Sequence, residues 1–129
     1  MDTREKIVDC QRAVALVARL RGESAALKVV TGYFDVLVAD HVRCLRQIAA
    51  GATKLFVIVL EPPTALLAPR ARAEMVAALA MVDYVIQAGE QAAEGLLRCF
   101  SADEIVREES ADLLRAECLK QHVQRRHPQ

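Results

Sequence analysis

Aromatic residues are scarce in this chain: it has no tryptophan, two tyrosines and three phenylalanines in 129 residues. A core without large rings must be built from alanine, valine and leucine, and the 53% hydrophobic content allows that. Net charge is also missing, because seventeen Lys and Arg balance seventeen Asp and Glu. A nucleic-acid or anionic-membrane binder carries a basic excess, so neither partner is expected. Long apolar runs are lacking too; all fall well short of the roughly 20 residues that cross a bilayer. The four cysteines (Cys10, Cys44, Cys99, Cys118) form no CxxC pair. That spacing speaks against zinc and thiol-redox chemistry, and no metal site is expected. Free thiols on helix faces act as small hydrophobes, which suits a cytoplasmic protein. The charged, amphipathic N-terminus does not read as a signal peptide.

What is present reads as one domain over residues 1–129, long enough to bury a core without staples. Residues 3–21 predict an amphipathic helix, since Ile7, Cys10, Val14, Val17 and Leu20 recur at spacings of three and four. Its apolar stripe serves the core or a homodimer interface. Gly22 suits a left-handed cap. Leu27 to Thr31 and Lys54 to Leu60 are continuous apolar runs, the pattern of strands covered on both faces. Between them a helix is expected from Asp40 to Ala50. Pro62 and Pro63 break structure, and Pro69 opens a helix to about Met81 with Met75, Val76, Leu79 and Val82 inward. Tyr84 to Ile86 reads as a third strand and Gln91 to Phe100 as a helix. Ser101 to Glu104 has the form of a capping box, while Ile105-Val106 equally fits a brief fourth strand. A last helix is expected from Ser110 to about Arg126. Alternating strands and helices mean an α/β fold, specifically a Rossmann-like three-layer α/β/α sandwich with a mostly parallel sheet.

The segment Thr31-Gly32-Tyr33-Phe34-Asp35, followed by a helix carrying Asp40 and His41, holds the functional signal. In an open α/β sheet, ligands bind at the carboxyl ends of the strands. A glycine directly after the first strand lets the backbone approach a phosphate, and the next helix aims free N–H groups at the anion. Alone, the glycine fits a mere tight turn as well.

The longer pattern resembles the cytidylyltransferase-like nucleotidyltransferases, whose first strand is followed by G-x-F-D-x-L-H-x-G-H-x-x-x-L. This chain matches at Gly32, Phe34, Asp35, Leu37, His41 and Leu45 in one register. The lead-in Ala15 to Arg21, and Arg72 to Leu79 followed by Val82 to Val85, are similar to the heptose-phosphate and glycerol-phosphate branch. The resemblance covers roughly residues 5 to 87. It implies transfer of a nucleotidyl group from CTP or ATP, with Mg2+, to a small phosphorylated sugar or alcohol. It also implies nucleotide contacts from Thr31, Gly32, Tyr33, Phe34, Asp35 and Arg72, and a catalytic role for His41 in stabilising phosphate charge.

Two positions depart from the motif. Val38 stands where the first histidine would be, and losing one such transition-state donor costs about 10² to 10³ in rate. Asp40 replaces the glycine and, as an N-cap, would put a carboxylate among the N–H groups that otherwise hold phosphate. The expected activity is therefore an impaired nucleotidyl transfer, the alternative being an inactive relative that serves as a binding or scaffold module. Plainer readings stand beside the functional ones. His41 fits a partly exposed first-turn histidine, Asp35 a loop cap, and Arg72 with Glu74 a solvated helix face. Ser110 to Arg115, the one stretch that could stand for the family's serine-rich segment, reads better as a capped helix start. His122 and His127 are spaced poorly for a shared metal and belong to a fraying basic helix end.

Overall fold

The computed structural model describes residues 2–126. Four strands form one sheet: β1 (Leu27–Gly32), β2 (Lys54–Val59), β3 (Tyr84–Gln87) and β4 (Ile105–Arg107). All neighbours run parallel, in the order β3-β2-β1-β4. The chain thus winds outward from β1 to β3 and then returns to lay β4 on the other side of β1. That reversal places a crevice at the carboxyl ends of β1 and β4, where open α/β sheets take ligands.

Five helices cover the sheet: α1 (Cys10–Gly22), α2 (Ala39–Ala50), α3 (Pro69–Ala77), α4 (Glu90–Leu97) and α5 (Glu109–Arg126). Alternation along each strand sends side chains to opposite faces. Val29, Phe56 and Ile58 pack under α1 and α4, where Leu16, Leu20, Ala93 and Leu96 complete one core. Val30, Val57 and Val85 face the other way and meet Leu45 of α2 with Ala73 and Val76 of α3. The result is the expected three-layer Rossmann-like α/β fold. Small α3 residues let that helix lie close to the strands, as a ring-poor core demands.

Several local expectations are corrected. The first helix does not begin at residue 3: Thr3–Lys6 is a single 3-10 turn, and Val8 N–H donates to Val85 O at 2.9 Å, extending the chain alongside β3. Asp9 is the real N-cap, accepting from Arg12 N–H. This shifts the buried stripe to Ala13, Leu16, Val17 and Leu20 and leaves Val14 44% exposed. The left-handed residue after α1 is Ser24 (φ 59°) rather than Gly22, which is still helical. Helix α3 stops at Ala77, and Met75 faces outward. Both readings of 101–106 hold, for a 3-10 turn at Ala102–Glu104 leads directly into β4. Ser101 N–H donates to the Glu104 carboxylate at 2.8 Å, one arm of the box. Helix α5 starts at Glu109, so Ser110 lies inside it, and it stays helical through Arg126. His122 is exposed on it, and His127 lies outside the described residues.

Candidate functional site

The site is built on the turn that follows β1. Phe34 adopts φ 48°, a left-handed conformation for a side chain that is otherwise 1% exposed. This turns two successive N–H groups, those of Tyr33 and Phe34, toward one point. A carboxylate oxygen occupies it: Asp112 Oδ2 accepts from Tyr33 N–H at 2.8 Å and from Phe34 N–H at 3.3 Å. Gly32 makes room for that contact. A Cβ there would lie 2.6 Å from Asp112 Oδ2 and 2.7 Å from the Phe34 ring.

The other oxygen of Asp112 meets His41. Val38 is the N-cap of α2, with extended backbone, and its N–H donates to His41 Nδ1 at 3.1 Å. With Nδ1 accepting, the hydrogen-bond pattern assigns the proton to Nε2. Nε2 then donates to Asp112 Oδ1 at 2.7 Å. His41 is only 3% exposed, not the partly open first-turn residue expected.

Arg115, one turn further along α5, closes the arrangement. Its guanidinium donates to Asp112 Oδ1 at 2.6 Å, to Asp40 Oδ2 at 2.8 Å and to Glu108 Oε1 at 3.4 Å. Cys44 Sγ donates to the same Glu108 oxygen. Burial pushes the Asp112 carboxyl up, but the hydrogen bonds from His41, Tyr33 and Arg115 outweigh it and hold it below its ordinary value. Burial and the neighbouring Glu108 carboxylate push the Cys44 thiol up to about 11. Three carboxylates share one guanidinium here, so the local field repels a further anion.

Asp40 does not occupy the first-turn N–H groups. It is the second residue of α2, 55% exposed, and its carboxylate is drawn outward to Arg115 and, at 3.7 Å, to Arg43. The carboxylate that fills the anion cradle comes from α5, some eighty residues away in sequence.

The other residues singled out by sequence hold the surrounding loops. Asp35 accepts from Leu66 N–H at 2.8 Å and Leu67 N–H at 2.9 Å, capping the β2–α3 loop rather than its own. Arg72 is fully buried, not on a solvated face, and donates to the carbonyls of Tyr33, Leu60 and Leu67 and to Glu61. It joins the ends of β1 and β2 to the loop before α3. Thr31 is buried at the end of β1 with its Oγ1 unbonded. Thus Gly32, Tyr33, Phe34 and His41 converge on one point, Asp35 and Arg72 frame it, and Thr31 faces away. Sequence reasoning missed Asp112, Arg115 and Glu108. Asp112 and Arg115 lie one turn apart on α5 and Glu108 immediately precedes that helix, a spacing that was visible but named no target.

No protein-family model matches the chain. It is 32% identical over 112 residues to the bifunctional protein HldE of Caulobacter, an alignment covering 80% of this chain. The chain spans only 23% of that relative's length. Its fold matches a lipopolysaccharide core biosynthesis protein from Thermoplasma volcanium with a TM-score of 0.53 at 21% identity. That match covers 57% of this chain and 66% of the other. These similarities support a cytidylyltransferase-like family. None of the helices described is long and apolar enough to cross a membrane.

Proposed function

We propose that this chain is a nucleotidyltransferase-like protein whose nucleotidyl transfer is impaired because its anion cradle is filled from within. One observation carries the reading: Asp112 takes the two turn N–H groups and the His41 Nε2–H that the family resemblance would direct at phosphate. A nucleotide phosphate entering this point must displace a buried, hydrogen-bonded carboxylate. It must also approach Glu108, which Arg115 offsets, and the outer Asp40, shared by Arg115 and Arg43. Two unit charges about 4 Å apart repel by roughly 4 kcal/mol at an effective dielectric of 20. Val38 adds the loss of one charge-stabilising donor.

In this reading His41 would be the residue to meet phosphate charge, with Gly32, Tyr33 and Phe34 forming the cradle. Asp35 and Arg72 position the loops, and Thr31 lies behind the cradle. Magnesium enters as part of the magnesium complex of CTP or ATP, and the acceptor is a small phosphorylated sugar or alcohol. Pyrophosphate release from MgCTP and MgATP with glycerol phosphate tests the proposal. The chain should give no release above background, whereas Asp112→Ser combined with Val38→His and Asp40→Gly should raise nucleotide affinity. Ready turnover by the unmodified chain would overturn it. The second reading, an inactive binding or scaffold module in the cytoplasm, is favoured by the same occupancy and predicts that even the triple variant stays inert.

A further inference from the structure

A separate cleft of about 280 Å3 opens on the α4 face of the sheet, at the reversal point between β1 and β4. Its charged lining is Glu61, Glu90, Glu94, Glu109 and Arg107. Two of these carboxylates are neutralised, Glu94 by Arg107 at 2.9 Å and Glu61 by Arg72 at 2.6 Å. Among the described residues, Glu90 and Glu109 form no salt bridge, although Arg107, already paired with Glu94, also feels the charge of Glu109.

The cleft also holds two buried acceptors without hydrogen bonds. Thr31 is 0% exposed, and its position on β1 turns it to the same face as Val29, toward α4. Among the described residues its Oγ1 has no partner, and neither has Oε1 of Glu109. Buried polar groups are nearly always paired, and one left alone costs about 1 to 3 kcal/mol. A ligand that donates to both atoms removes that cost. Excess carboxylate makes the ligand a cation and turns away phosphorylated compounds. No group of three or more His, Cys, Asp or Glu suited to a metal ion occurs among the described residues, so an organic cation fits better than a bare metal.

We propose that this cleft binds a small organic ammonium compound, its –NH3+ group donating to Thr31 Oγ1 and Glu109 Oε1, with Glu90 adding charge at the rim. One ammonium nitrogen carries three donors, enough for both orphaned acceptors and a third contact. The proposal does not depend on nucleotidyl transfer, since Asp112 and His41 take no part.

Titration of the 15N-labelled chain with ethanolamine hydrochloride at fixed ionic strength tests it. Saturable shifts are expected at the amides of Thr31, Glu90 and Glu109, with a dissociation constant of about 1 mM or tighter. Ethylene glycol, glycerol phosphate and magnesium chloride should leave those amides in place. Glu109→Gln should weaken binding by about tenfold, which is 1.4 kcal/mol. Glu90→Gln, at the exposed start of α4, should weaken it severalfold without touching the buried end. No saturable shift, an equal response to magnesium chloride, or unchanged affinity in both variants would overturn the assignment. Loss of the ethanolamine response leaves the nucleotide experiments on Asp112 unaffected, so the two failures are distinguishable.

Discussion

The carboxylate of Asp112 and the imidazole of His41 meet at 2.7 Å, both side chains under 5% exposed, across the joint between α5 and α2. That pair ties the last helix to the turn after β1 and decides what the turn can bind.

Removing the carboxylate should cost stability out of proportion to its size. Asp112→Ala leaves the Tyr33 and Phe34 N–H groups, His41 Nε2–H and part of Arg115 without an acceptor. Breaking a buried pair from one side costs about 3 to 5 kcal/mol. Urea unfolding should show a loss of that order, while Asp40→Ala, whose carboxylate is exposed, should leave the midpoint nearly unchanged. Equal effects would mean that Asp112 is not the anchor of α5.

Acid should unfold the protein through carboxylates held below their ordinary values. The Arg21 guanidinium lowers Glu104 from 4.5 to about 2, despite some opposing burial. Asp112 is also lowered from 3.8. A depressed carboxyl contributes stability above its unfolded value and loses it as pH falls through the folded one. The urea midpoint should therefore decline from about pH 4.5 toward 2, and Glu104→Gln should flatten that decline. A midpoint level down to pH 2 would contradict this.

Gly32→Ala is expected to loosen the turn through contact rather than through backbone strain. The added methyl would overlap Asp112 Oδ2, fixed by two donors, and the Phe34 ring. Overpacking of this kind costs about 1 to 3 kcal/mol. In Asp112→Ala one of the two clashing groups is gone, so the double variant should lose less than the sum of the singles. Strict additivity in a double-mutant cycle would argue against the contact.

Arg72→Met should destabilise by at least about 2 kcal/mol, because three carbonyls lose their donor in a buried place. Arg72→Lys keeps the charge but cannot reach all of them, and should fall between. Hydrogen exchange should quicken in the loop that carries Leu66 and Leu67. A wild-type exchange pattern in Arg72→Met would show that the guanidinium does not hold these strand ends.

Much of the fold is legible in sequence because continuous apolar runs such as Leu55 to Val59 mark strands buried on both faces. The failures occur where one residue satisfies two patterns. Ile7 fits a helical stripe as well as an extended pairing with β3, and only Asp9 signals the true helix start. The glycine turn and His41 could be picked out because they are close in sequence. Their occupant could not, since a buried aspartate on a polar helix looks like any solvated one until the helix docks. The same distance effect moved attention to Asp40, which neighbours the cradle in sequence and points away from it in space.

Calorimetric titration of the unmodified chain and of Asp112→Ala with MgCTP and MgATP tests the central claim most directly. A self-filled cradle predicts no saturable heat for the unmodified chain at millimolar nucleotide, and measurable binding once the carboxylate is removed and folding is verified. Micromolar binding by the unmodified chain, undiminished with Asp112 in place, would contradict it.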